Sequence, residues 1–131
     1  QELAPFSQEV KELLLREPVL NVDESGLRVA GSLNWFHVIS TTTLTWYGVH
    51  RKRGKEALDS FAILPEFLGR IVHDCWQSYL ELPCLHALCM AHILRELIFI
   101  HEECDQAWAK TMADLLLTTY LHDENMGAVS T

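Results

Sequence analysis

Between Pro18 and Val49 the chain offers three extended runs, joined by connections too short to hold anything but hairpins. This constrains the fold more than any other feature. The first run, Val19-Leu20-Asn21-Val22-Asp23, continues past Gly26 into Leu27-Arg28-Val29 and meets a tight turn at Ala30-Gly31. From Leu33 to Ser40 the side chains alternate, with Leu33, Trp35, His37 and Ile39 on one side and Asn34, Phe36 and Val38 on the other. After a threonine-rich turn, Leu44 to Val49 is rich in aromatic and β-branched residues. Three consecutive strands with short links predict an antiparallel meander.

The flanking segments have a different rhythm. Ser7 to Arg16 reads as a short helix, with Ser7 as its cap, Val10, Leu13 and Leu14 on one face, and Pro18 as its stop. Behind the meander come a basic loop, His50 to Lys55, and a helix from Glu56 to Phe61 that ends near Pro65. Ile71-Val72-His73-Asp74 follows as a short apolar strand led in by Gly69. A strand, a helix and another strand make a crossover, which favours parallel pairing of right-handed sense. Leu85 to Met90 reads as one more strand. From Ala91 the spacing turns helical through Ile93, Leu94, Leu97, Ile98 and His101, and a second helix covers Gln106 to Leu121. The expected fold is therefore α/β, a mixed sheet with a three-strand antiparallel meander plus parallel strand(s), flanked by helices. Residues 1–17 read as a helix and linker and residues 18–92 as the core. Residues 93–131 read as a helical segment leading toward an insertion or the rest of that core.

Composition narrows the classes. A length of 131 residues suits one core of ordinary size, and Leu, Ile, Val and aromatics throughout exclude disorder. The charge-free stretch Gly31 to Val49 carries Asn34, His37, Ser40 and three consecutive threonines, so no membrane span is expected. Gln1, Glu2 and Glu9 stand where a secretory signal would be basic and then apolar. Four cysteines make no disulfide scaffold, which favours a reducing, cytoplasmic setting. The chain opens without Met and is read as a fragment. A net charge of −8 argues against a self-contained nucleic-acid binder. That acidity is local, however. Residues 75–131 hold eight acidic residues against two basic ones, whereas residues 23–74 balance six against six.

Two acids stand where solvation alone does not explain them. Asp23 follows the apolar run Val19 to Val22, and Asp74 follows Ile71-Val72-His73. If the crossover lays the second strand beside the first, both carboxylates emerge at neighbouring carboxyl ends, the crevice where open α/β sheets bind ligands. Two carboxylates there repel unless a cation or proton intervenes. Mg²⁺ or Mn²⁺ suits such oxygen donors, and a pair of ions can serve phosphoryl transfer. The plainer alternative is turn chemistry, for which Asp23-Glu24-Ser25-Gly26 is well suited.

Longer strings carry more information. Val22-Asp23-Glu24-Ser25-Gly26-Leu27-Arg28-Val29-Ala30-Gly31 with Trp35 resembles the first catalytic block of bacterial transposases of the insertion sequence 66 family. The resemblance runs on through Thr41, Arg53-Gly54, Gly69, His73-Asp74-Cys75-Trp76-Gln77-Ser78-Tyr79 and Cys89-Met90-Ala91-His92-Ile93-Leu94-Arg95-Glu96-Leu97, covering residues 18 to 100. It implies a ribonuclease H-like fold and an Asp-Asp-Glu triad holding two divalent ions, with Asp23 and Asp74 as its first two members. It also implies nicking at element ends and attack of the freed 3′-hydroxyl on target DNA. DNA is then the partner, and a homo-oligomer is compatible with the parent protein. Candidates for the third acid are Glu96, Glu102, Glu103 and Glu124, but the expectation is that it lies beyond Thr131 and that the fragment alone is inactive.

The remaining motifs are weaker. Cys84, His86, Cys89 and His92 invite a zinc reading, but four ligands in nine residues rarely close one tetrahedron. Cys89 and His92 resemble a Cys-x-x-His signature of several transposase families and are expected to be structural. His73 is expected to pack on the face opposite Asp74. Trp76 and Tyr79 are expected to pack one helix face rather than stack on a base. Arg51, Lys52, Arg53 and Lys55 form the dense basic patch and are the candidate DNA contacts. The rivals to a transposase core are a nuclease or resolvase on the same fold, a zinc-binding or interaction module, and a decayed remnant.

Overall fold

The computed structural model describes residues 3–127 and the side chains of residues 3–122. Gln1, Glu2 and the Glu124 side chain lie outside that range. The chain forms two compact units, residues 1–88 and 89–131, and each is described by itself.

The first unit is built on a five-stranded mixed sheet in the order β3-β2-β1-β4-β5. Strand β1, Val19–Val29, pairs antiparallel with β2, Ser32–Ser40, through the two-residue turn Ala30-Gly31. Both turn residues have positive φ, 48° and 81°, the backbone that a two-residue hairpin requires. Strand β3, Thr45–His50, completes the expected meander on the far side of β2. Strands β4, Arg70–His73, and β5, Leu85–Leu88, run parallel to β1 on its other side. Helix α2, Lys55–Phe61, and a 3₁₀ turn at Leu64–Glu66 form the crossover from β3 to β4.

Period-two alternation sets the core. Leu20, Val22, Ile39, Trp46 and Ile71 face inward, where Leu58, Ile63, Leu64 and Phe67 of the crossover meet them. Each such side chain contributes about 1.5–3 kcal/mol on burial. Helix α1, Ala4–Leu14, adds Val10 and Leu14 to the same cluster. It starts three residues earlier than the capping argument placed it, with Pro5 in its first turn and no side-chain cap. The Ser7 hydroxyl instead accepts a hydrogen bond from Trp46 Nε1 at 3.1 Å, tying α1 to β3. Lys11 donates to the Phe61 carbonyl at 2.8 Å and tightens the same junction.

Two other boundaries differ from expectation. Strand β4 ends at His73, so Asp74 lies just past it in a three-residue turn that leads into helix α3, Gln77–Leu80. Strand β5 stops at Leu88, and the helix expected from Ala91 already begins at Met90.

The second unit pairs α4, Met90–Cys104, with α5, Ala107–Gly127. Leu97 of α4 and the small residues Ala109 and Ala113 of α5 form its buried seam. Asp105 ends α4 in the left-handed conformation, which a short polar side chain tolerates. Among the described residues no helix is long and apolar enough to cross a membrane.

Candidate active site

The register of β1 against β4 decides where the two aspartates stand. Asn21 lies beside Val72. Carried two residues on, past its last pair, that register would set Asp23, in mid-β1, abreast of Asp74, the first residue beyond β4. Asp23 is exposed on β1 and Asp74 half-buried just beyond β4. Each has one carboxylate oxygen fixed by a local amide. Asp23 Oδ1 accepts from the Glu24 N–H at 2.9 Å, and Asp74 Oδ1 accepts from the Trp76 N–H at 3.0 Å. The second oxygen of each makes no hydrogen bond or ion pair within the described residues. Turn chemistry and ligand chemistry therefore use different oxygens of the same side chains. Open carboxylate oxygens are hard donors of the kind that Mg²⁺ or Mn²⁺ takes in preference to a thiophilic ion.

The turn that carries Asp74 is unusual. Cys75 adopts φ 72°, a left-handed backbone that costs a side-chain-bearing residue roughly 1–2 kcal/mol. The Cys75 N–H donates to His73 Nδ1 at 3.0 Å. His73 is fully buried on the opposite face from Asp74, and its Nε2 lies 3.1 Å from His86 Nδ1. His86 Nε2 in turn faces the Leu82 carbonyl at 3.2 Å. Since the Cys75 amide can only donate, His73 carries its proton on Nε2 and His86 carries its own on Nε2. Burial, and then the neighbouring His86, hold the His73 pKa below the ordinary imidazole value, against the pull of Asp74.

Sequence reasoning missed Glu24. Parity alone places it on the Leu20–Val22 face, inward, and a buried carboxylate requires a cationic or hydrogen-bonding partner. Its side chain is 1% exposed. Arg53 Nε donates to Glu24 Oε1 at 2.8 Å, Arg53 Nη2 reaches the same oxygen, and the Tyr79 hydroxyl donates to Oε2. The Arg53 guanidinium lies between two indoles, 4.9 Å from the Trp35 ring centre and 4.3 Å from that of Trp76. Burial pushes the Tyr79 phenol well above its ordinary pKa, reinforced by its bond to Glu24 and by the charges of Glu24, Asp74 and Asp23. Tyr79 thus senses all three acids and remains a donor. Trp76 and Tyr79 pack against each other, their rings 5.3 Å apart and nearly perpendicular.

The family model of Transposase IS66 matches residues 1–129. The chain belongs to the IS66 family of transposases. No curated protein and no solved structure matches it.

In this IS66-family chain the other sequence candidates disperse. Cys84 is buried in the core of the first unit, and burial raises its thiol pKa. His86 is engaged with His73. Cys89 and His92 belong to the second unit, at the cap and first turn of α4. Burial opposes the Cys89 thiolate, but interactions with the His92 ring and with the His92 and Ala91 amides outweigh it and lower its pKa. The thiol nevertheless makes no regular cap hydrogen bond. Among the described residues no three His, Cys, Asp or Glu side chains gather as a metal-holding group. In the basic loop Arg51 and Lys52 are exposed, Lys55 lies 3.5 Å from Asp59, and Arg53 turns inward to Glu24. Glu96, Glu102 and Glu103 are exposed on α4. A cavity of about 10 Å³ beneath the sheet, lined by Val22, His37 and Tyr79 among others, has room for a single water at most.

Proposed function

We propose that this chain carries the first two acids, Asp23 and Asp74, of a metal-dependent DNA strand-cleavage and strand-transfer site on a ribonuclease H-like sheet. The observation that carries the reading is the β1–β4 register, which, carried two residues past its last pair, sets Asp23 in the middle of β1 abreast of Asp74 just beyond the end of β4. Membership of a transposase family supplies DNA as the substrate. The antiparallel meander extended by two parallel strands supports the ribonuclease H-like assignment.

Within the site, the amides of Glu24 and Trp76 fix one oxygen of each aspartate and leave the other without a hydrogen bond. Asp23 and Asp74 would hold the metal through those free oxygens. A divalent ion held there would supply Lewis-acid polarisation of a phosphoryl group and a lowered pKa for a water or 3′-hydroxyl. Tyr79, held protonated, keeps Glu24 in place without adding a proton acceptor beside the pair. Arg51 and Lys52 reach solvent and would contact the DNA backbone.

The test uses the natural protein containing these residues and a DNA with a labelled 3′-hydroxyl end. Wild type is expected to nick the substrate and join the labelled end to target DNA in Mg²⁺. Asp23→Asn and Asp74→Asn are expected to lose both steps while keeping the wild-type circular dichroism spectrum. Turnover retained in either variant overturns the assignment. Cleavage without joining places the chain among hydrolytic nucleases instead.

A further inference from the structure

The Asp74 turn is held by two sets of contacts that meet where His73 packs against Tyr79, their rings 5.4 Å apart. In the first, His73, backed by His86, accepts from the Cys75 amide. In the second, Trp76 stacks on Arg53, Arg53 forks onto Glu24, and Glu24 is closed by Tyr79. Two members of the second set flank the aspartates in sequence. Glu24 follows Asp23, Trp76 lies two residues after Asp74, and Trp35 sits opposite Gly26 on β2.

We propose that Glu24, Arg53 and Tyr79 are positioning residues that hold the Asp74–Cys75–Trp76 turn in its metal-binding shape, and that Glu24 is not itself a metal ligand. This rests on the reading of Asp23 and Asp74 given above.

The physical case begins with Cys75. A left-handed residue with a side chain persists only where its surroundings over-determine it. Released, Cys75 would relax toward negative φ and carry Asp74 out of line with Asp23. The stack of Trp76 on Arg53 opposes that relaxation, because moving Trp76 exposes the guanidinium face and leaves the indole unpaired. Arg53 can serve as such an anchor because its plane is set by a second indole and by its fork onto Glu24. Glu24 in turn has both oxygens occupied, one by Arg53 and one by Tyr79. A carboxylate that is 1% exposed and fully engaged would have to surrender these partners before it could bind an ion.

The two roles available to Glu24 make opposite predictions for Arg53. If Glu24 were a ligand, removing Arg53 would free it and tighten metal binding. If Glu24 positions the turn through Arg53, the same change weakens metal binding. The experiment is a Mn²⁺ titration of the full chain, read by paramagnetic broadening of the Cys75 amide and Trp76 indole N–H signals, well below the melting temperature of every variant. Asp74→Asn is expected to abolish the titration. Wild-type-like Mn²⁺ binding by Asp74→Asn would overturn the underlying reading of the aspartates, separately from the positioning role.

Arg53→Lys and Glu24→Gln are each expected to raise the half-saturating Mn²⁺ concentration by about tenfold, the usual size of an outer-shell effect. The double variant is expected to be no worse than the weaker single variant, since both break one chain. Tyr79→Phe removes only a hydroxyl and serves as the mildest member of the series should Glu24→Gln fail to fold. Cys75→Gly, which abolishes the penalty for positive φ, is expected to recover part of the loss in Arg53→Lys. With Asp74→Asn silent, half-saturation unchanged in Arg53→Lys overturns the positioning role. Tighter binding in Arg53→Lys overturns it as well and makes Glu24 a ligand. A purely structural contribution would lower the melting temperature without moving half-saturation, and that outcome also counts against the proposal.

Discussion

His37 shows how far one residue's surroundings decide its chemistry. It is 2% exposed on β2, its ring edge-on to Phe61 at 5.1 Å, and neither ring nitrogen makes a hydrogen bond of regular geometry. Burial lowers its pKa, the charges of His50 and Arg53 act in the same direction, and the nearby Lys52 carbonyl only partly offsets them. A histidine whose folded pKa lies below its unfolded value of 6.5 favours the fold while it is neutral. Its contribution is therefore complete above about pH 6.5 and is lost as the pH falls through the folded value. The steepest loss one such group can cause is about 1.4 kcal/mol per pH unit. The melting temperature of the chain is expected to drop between pH 7 and pH 5, and His37→Leu, an apolar side chain of similar volume, is expected to flatten that drop. An equally steep fall in the variant would assign the acid sensitivity to other groups. The sequence alternation already points His37 inward, but it does not reveal that the buried ring lacks a regular partner, because this depends on where the Lys52 loop settles.

Among the elements, β3 has the least slack. Trp46 and Gly48 share its inner face, and the Trp46 indole leans over the glycine. A Cβ on Gly48 would meet the Trp46 ring at 2.3 Å and the Phe61 ring at 2.8 Å. Neither ring can retreat easily, since Trp46 Nε1 is bonded to Ser7 and its ring packs edge-on against Phe61 at 5.0 Å. Gly48→Ala is therefore expected to destabilise the first unit by about 1–3 kcal/mol, the usual cost of overpacking. A denaturant midpoint unchanged from wild type would mean that α1 and α2 shift freely to make room. The same elements show which signals a sequence carries. The meander and the crossover are legible because period-two alternation and Gly or Pro punctuation are local. Helix α3 is not legible, since four residues leave no periodicity to read. The start of α1 misleads because Ser7 spends its hydroxyl on Trp46, thirty-nine residues away, and not on a cap. For the site, the two aspartates stand out as acids ending apolar runs. Glu24 does not, because parity turns it inward but gives no sign that Arg53 leaves the basic loop to meet it.

At the scale of the whole molecule, the net charge of −8 hides an uneven distribution that bears on the proposed DNA contact. Most of the excess acid lies after Asp74, while the basic residues cluster between β3 and α2. Within that cluster the structure divides the work. Arg53 is committed to Glu24, and Lys55 shares its charge with Asp59 on the surface of α2. Arg51 and Lys52 remain exposed. If these two carry the phosphate contacts, they release counterions on binding and the others largely do not. The affinity of the chain for duplex DNA should then weaken with salt, and the slope of log K against log salt should change by about 1 for each contact removed. Arg51→Gln combined with Lys52→Gln is expected to flatten the slope by about 2. Lys55→Gln is expected to change it by a smaller amount, because Asp59 already neutralises part of that charge. Fluorescence anisotropy of a labelled duplex over a range of KCl concentrations measures all three. A slope that Lys55→Gln lowers as much as the double substitution would return the loop to an undifferentiated basic patch. A slope unmoved by any of them would place the DNA contacts elsewhere on the chain.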